Sequence, residues 1–106
     1  MSKESILVVE DEDDIAELIR YNLEAEHYQV TVAASGEKGV EAARRVLPNL
    51  VLLDLMLPGM SGLEVCRTLK ADASTASIPI VMVTARGEES DVVAGLELGA
   101  EDYVTK

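Results

Sequence analysis

At 106 residues, 48% of them apolar, the chain has enough length for one domain with a single core and little room for anything else. Its 20 acidic residues against 9 basic ones give a formal charge of −11, which speaks against direct nucleic-acid binding and suits a metal ion or a basic partner. No apolar run approaches the ~20 residues of a membrane span, the N-terminus lacks a signal-peptide layout, and the lone Cys66 excludes a disulfide framework, so a cytoplasmic location is expected.

The run ILVV at 6–9 is continuous and rich in β-branched residues, as a strand covered on both faces should be. Residues 14–26 place Ile15, Leu18, Ile19 and Leu23 on one helical stripe, and Asp14 followed by Glu17 predicts a capping box at its start. A second strand is expected over 28–34. Ser35 is the predicted N-cap of a helix through residue 46, with Val40, Ala43 and Leu47 inward and Pro48 as its stop. LVLL at 50–53 is the most hydrophobic strand. The turn cluster PGMSG at 58–62 leads into a helix over 63–71 that buries Val65, Cys66 and Leu69. A fourth strand spans 78–83, with Pro79 near its start, where a strand tolerates proline best. Residues 88–98 read as a fourth helix stopped by Gly99, and Tyr103, Val104 and Thr105 begin a fifth strand.

Apolar runs alternating with amphipathic stretches predict an α/β fold: a parallel sheet with helices on both faces. The flavodoxin-like strand order 2-1-3-4-5 is the common small version. In such a sheet all strand C-termini share one edge. The first strand is followed there by Glu10 and Asp11, the third by Asp54, the fourth by Thr84 and the fifth by Lys106. Residues far apart in sequence should therefore converge where open α/β sheets bind ligands.

Three carboxylates held together repel one another and attract a cation. Oxygen ligands without His or Cys favour Mg²⁺ over zinc or copper, and Mg²⁺ completes its shell with waters and phosphate oxygens. Asp54, ending the most buried strand, is the best candidate nucleophile, since carboxylates form acyl phosphates in phosphoryl transfer. Lys106 would offer a point charge to the phosphoryl oxygens and Thr84 a hydrogen bond. Singly, each residue has an ordinary explanation as a helix cap, a turn hydroxyl or a solvated lysine. Their shared edge is what lifts the joint reading. His27, at a helix end, suits the last carbonyls; Cys66 and Met82 read as core.

The strings ILVVEDE, LLDLMLPGMSGLEV, IPIVMVTARGEE and GAEDYVTK resemble the receiver domains of two-component response regulators, particularly the PhoB/OmpR-like group, over nearly the whole chain. The resemblance implies a CheY-like fold in which Glu10, Asp11 and Asp54 bind Mg²⁺ with the backbone carbonyl of Met56, and Asp54 accepts a phosphoryl group from a sensor histidine kinase. It also implies that Thr84 and Tyr103 form a switch pair, that Lys106 is the family's lysine, and that Pro58 and Gly62 shape the loop after the acceptor. Met56 and Arg86 fall where the family tunes the lifetime of the phosphoryl group. The chain would assist its own phosphorylation and dephosphorylation without being a turnover enzyme. Output through the fourth helix and fifth strand would control transcription by way of an effector domain not in this sequence.

Receivers usually continue past the lysine with a fifth helix, and this sequence stops at Lys106. The expectation is one receiver domain over 1–106, truncated after the fifth strand. Apolar surface on strands one, three and five would then be open to water. A destabilised monomer, an associated form or a piece of a longer protein would follow. Self-association is expected through that open face or the fourth helix–fifth strand surface. The dimer of PhoB-like receivers is less readily carried over, because Val92, Val93 and Ala94 stand where some relatives place arginines, while Glu97, Glu101 and Asp102 are retained.

Other readings fare worse. A phosphohydrolase of the haloacid-dehalogenase kind needs a second acid two residues after the nucleophile, where Met56 stands. A flavin or nucleotide module needs a glycine-rich loop after the first strand, where the acidic run at 10–14 stands instead. A stand-alone CheY-like receiver acting through protein–protein contacts remains the alternative to a transcription regulator. An interaction domain that has lost phosphorylation would lack a site residue, and none is missing.

Overall fold

The computed structural model describes residues 4–84, 96–97 and 99–105, and of Thr84, Tyr103 and Thr105 the backbone only. In chain order the elements are strand β1 (Ser5–Val9), helix α1 (Asp13–Ala25), β2 (Gln29–Ala33), α2 (Gly36–Val46), β3 (Leu50–Asp54), α3 (Gly62–Ala71), β4 (Ile80–Thr84) and β5 (Asp102–Thr105). The five strands are parallel, as the alternation of apolar runs and amphipathic stretches implies, and lie in the expected flavodoxin-like order β2-β1-β3-β4-β5. The expected fourth helix and Lys106 lie outside the described residues, apart from Leu96 and Glu97, which are helical, and Gly99, which ends that turn at φ +114°.

The core follows from the same runs. Leu7, Val51, Leu53, Ile80 and Met82 are fully or almost fully buried in the central strands, and α2 and α3 cover them with Ala43, Val65, Cys66 and Leu69. Each of the Leu, Val, Ile and Met side chains among them contributes ~1.5–3 kcal/mol relative to an exposed one. β3 holds the middle of the sheet, and so its last residue, Asp54, is carried into the interior. That placement matters more than any other.

Local signals set several helix ends. Ser35 caps α2 by accepting from the Lys38 N–H at 3.2 Å, and Ser61 caps α3 by accepting from the Glu64 N–H at the same distance. Burial raises the Cys66 thiol above its usual pKa against a smaller opposing pull from Lys70, as expected of an inert core cysteine.

Four expectations need correction. Leu18 is 62% exposed, because the stripe of α1 that reaches the sheet runs through Ala16, with Ile15, Ile19 and Leu23 half-buried. α1 starts at Asp13, with Glu12 as its N-cap and without a capping hydrogen bond from that side chain, so the box at Asp14 and Glu17 does not form. Leu47 points out of the core as the left-handed C-cap of α2, at φ +51°. Finally, of the three strands expected to show open apolar surface, β1 is buried, with Ile6 at 4% and Val8 at 1%, and Leu50 and Leu52 of β3 are half-buried. Val104 of β5 is 54% exposed as expected; Leu18 and Tyr21 of α1 are exposed as well.

Candidate metal centre

Parallel pairing assembles the site. Val9 is in register with Leu53, so the next residues, Glu10 and Asp54, leave adjacent strands at the same height. The Glu10 N–H donates to the Ala33 carbonyl at 3.0 Å and the Leu55 N–H to the Val83 carbonyl at 3.0 Å, which ties each turn to the neighbouring strand. Asp11 follows one residue later. Carboxylate oxygens of Glu10, Asp11 and Asp54 come within 4.8 Å of one another. Glu10 and Asp54 are 2% and 3% exposed; Asp11 is the member that faces solvent.

Local hydrogen bonds hold these carboxylates in place. Glu10 Oε2 accepts the Glu12 N–H at 3.1 Å, and Asp54 Oδ1 accepts the Met56 N–H at 3.1 Å. Each acid thus folds back on the backbone two residues ahead, as acids at strand ends do. At 4.8 Å and an effective dielectric near 20, two like charges repel by about 3 kcal/mol. A cation placed among the three turns that repulsion into attraction. The donor set is all carboxylate, with no cysteine or histidine in the cluster among the described residues, and so it fits a hard ion such as Mg²⁺.

The other expected site residues divide by what is described. Thr84 ends β4 one residue past Val83, the register partner of Asp54, so its backbone reaches the same sheet edge. Tyr103 lies in β5 opposite Met82. The side chains of both, along with Lys106 and Arg86, lie outside the described residues. Met56 is 59% exposed beside the acidic cluster.

Two features of the site were not read from the sequence. Gly62 is the first residue of α3, and a Cβ there would strike the Asp54 carbonyl oxygen and lie 2.8 Å from Leu55 Cα. Its glycine is required by close approach, while the left-handed turn residue of that loop is Gly59, at φ +70°. Ser61, the cap that fixes the start of α3, was legible as Ser-x-x-Glu with Glu64. On the far side, Lys70 binds the Ala76 and Ile78 carbonyls at 3.2 and 2.9 Å and Glu101 at 3.3 Å, while Glu101 accepts the Ile80 N–H at 2.6 Å. This link ties α3 to the starts of β4 and β5.

An acidic trio at the C-terminal edge of a 2-1-3-4-5 sheet matches a known family. The response regulator receiver domain matches residues 6–106, and the chain belongs to that family. It is 50% identical over 101 residues to the phosphate regulon transcriptional regulatory protein PhoB of Rhizobium meliloti, covering 95% of this chain and 44% of that protein. The DNA-binding response regulator MtrA of Mycolicibacterium smegmatis is 48% identical, over 98% of this chain and 44% of its own length. The chain thus spans less than half the length of these relatives. The BeF₃-activated receiver domain of RstA from Klebsiella pneumoniae superposes with a TM-score of 0.89 at 36% identity, covering 97% of this chain and 86% of that one. No helix among the described residues is long and apolar enough to cross a membrane.

Proposed function

We propose that this receiver domain is a Mg²⁺-dependent phosphoacceptor switch, with Asp54 as the residue that takes the phosphoryl group. The single observation carrying this reading is the approach of Glu10, Asp11 and Asp54 to within 4.8 Å at one sheet edge. In the proposed step a carboxylate oxygen of Asp54 attacks phosphorus in line, the bond from phosphorus to the donor breaks, and an acyl phosphate forms while the donor leaves with the bonding electrons. The physiological donor in this reading is a phosphohistidine of a sensor histidine kinase, so a P–N bond is exchanged for a P–O bond.

Glu10, Asp11, Asp54 and the backbone carbonyl of Met56 would hold the ion. Bound there, Mg²⁺ supplies charge neutralisation for the phosphoryl oxygens. Lys106 would contribute a second positive charge and Thr84 a hydrogen bond. Thr84 and Tyr103 would then report the phosphorylated state to the surface around β5. The chain would be modified and would assist its own modification without turning over an external substrate. Its PhoB and MtrA relatives are named as transcriptional and DNA-binding regulators, and this domain would serve that output in the cytoplasm through an effector domain outside the sequence.

Incubation with a small-molecule acyl or amido phosphate tests the assignment. Intact-mass measurement should show one added phosphoryl group with Mg²⁺ present and none after chelation. Asp54→Asn should abolish the addition; retention of it would place the acceptor elsewhere.

A further inference from the structure

We propose that the outer edge of β2, together with the face of α2 above it, is a docking groove for an extended peptide segment carrying acidic residues on either side of a basic one. Among the described residues β2 is the last strand of the sheet, with β1 on one side and no strand on the other. The Gln29 N–H donates to the Glu4 carbonyl and the Ala33 carbonyl accepts from Glu10, so these residues turn their backbone groups toward β1. Alternation along a parallel strand then turns the N–H and C=O of Val30 and Val32 outward. The segment 28–34, YQVTVAA, carries no charge, no proline and no glycine, the features with which exposed strand edges are usually blunted. Val32 is 36% exposed on it.

Above this edge lies a groove of about 350 Å³, walled by Thr31 and Val32 below and by Lys38, Glu41, Ala42 and Arg45 of α2. Lys38 and Arg45 make no ion pair among the described residues, although the chain carries −11; the adjacent Arg44 is paired with Asp72 at 2.8 Å. Two cations without an ion pair among the described residues, beside an open strand edge, give the groove its chemistry. Addition of a strand would supply main-chain hydrogen bonds, and side chains facing α2 would supply selectivity.

Spacing sets the pattern. Lys38 and Arg45 are seven residues apart on a helix, about 10 Å along its axis, with Glu41 between them. Alternate residues of an added strand face α2 about 7 Å apart, so positions i and i+4 stand about 13 Å apart, within reach of the two long basic side chains. Position i+2 falls opposite Glu41. An acid-x-base-x-acid segment therefore complements all three, and a second copy of this chain, whose β2 edge presents the same cations, does not.

The test titrates the full chain with the blocked peptide Ser-Glu-Val-Lys-Val-Glu-Ser and its charge-reversed counterpart Ser-Lys-Val-Glu-Val-Lys-Ser, following backbone amides by NMR. The first peptide should bind about tenfold more tightly, slow exchange of the Val30 and Val32 amides, and weaken with salt. Lys38→Glu with Arg45→Glu, both exposed, should invert the preference while the far-UV spectrum stays unchanged. Equal binding of the two peptides, protection at amides other than Val30 and Val32, or no binding at millimolar peptide would overturn the proposal. Concentration-dependent pairing of the chain with itself through β2 would overturn it as well. None of these outcomes depends on the reading of Asp54.

Discussion

Gly62 and Asp54 touch through their backbones: the start of α3 lies so close to the end of β3 that a Cβ on Gly62 would collide with the Asp54 carbonyl oxygen. The Gly62 N–H also donates to the Leu55 carbonyl at 3.1 Å, so the loop over 55–61 closes back on itself immediately beside the acidic cluster. One hydrogen atom in place of a methyl group lets the cap of α3 and the candidate acceptor share this space. Gly62→Ala should destabilise the domain by about 1–3 kcal/mol through overpacking. Urea denaturation reads this as a lower midpoint, and phosphorylation at Asp54 should slow because the carboxylate is displaced. An unchanged midpoint would show that α3 shifts without cost.

Thr75 is fully buried, with its hydroxyl donating to the Leu69 carbonyl at 2.7 Å beyond the end of α3. Replacement by Val keeps the shape and removes the donor, which leaves a buried carbonyl short of a partner. Thr75→Val should cost about 1–2 kcal/mol in thermal or chemical unfolding. Thr75→Ser, which retains the hydroxyl, should recover part of that loss; equal losses for both would place the cost in packing.

His27 holds the left-handed position after α1 at φ +72°. Its N–H bonds the Glu24 carbonyl at 2.9 Å and the Tyr28 N–H bonds the Leu23 carbonyl at 3.1 Å, the paired bonds of a Schellman stop. Its role is thus a backbone one, where its place in the sequence suggested a side chain serving the last carbonyls. His27 is exposed, so the side chain loses little on removal. His27→Gly should stabilise the domain by about 0.5–1 kcal/mol, because glycine adopts that conformation without strain. A lower melting temperature would contradict this.

Asp72 accepts the Ser74 N–H at 2.9 Å and its hydroxyl at 2.8 Å, and pairs with Arg44 at 2.8 Å. The Ser74 bonds first, then Arg44, hold its carboxyl below the usual value of 3.8. Because the folded-state pKa is depressed, the stabilisation is complete above the unfolded value and is lost as pH falls through the folded one. An NMR titration of the Asp72 carboxyl should show a midpoint below 3.8. Ser74→Ala, which removes the hydroxyl but not the backbone donor, should move that midpoint part of the way up. A midpoint unmoved by Ser74→Ala would remove the hydroxyl from the account.

Much of this architecture is legible from apolar runs alone, because a buried parallel strand must be apolar on both faces. ILVV, LVLL and the run before Thr84 locate β1, β3 and β4, and the residues just after β1 and at the end of β3 supply the acidic cluster. Helical periodicity carries less. It marks the apolar side of α1 without saying which part has a neighbour over it, and so Leu18 was placed inward although Ala16 is what reaches the sheet. The start of α1 was misread because Glu12, Asp13 and Asp14 all present acids. The Ala16 N–H bonds the Glu12 carbonyl at 2.9 Å, which settles the choice by backbone geometry. The link from Lys70 to Glu101 joins residues 31 apart, and no local pattern announces it. It explains why β4 begins at Ile80 and not at Ile78: the Ile78 carbonyl is taken by Lys70 and its N–H by the Thr75 carbonyl.

Calorimetric titration of Mg²⁺ into the chain tests the central claim most directly, because it asks whether three carboxylates at the ends of two neighbouring strands act as one receptor. The expected result is a single site whose affinity falls at least about tenfold in each of Glu10→Gln, Asp11→Asn and Asp54→Asn, since each removes one of three charges facing the ion. Affinity unchanged by all three substitutions would mean that the ion binds elsewhere on this acidic surface, and the phosphoacceptor reading of Asp54 would lose its foundation.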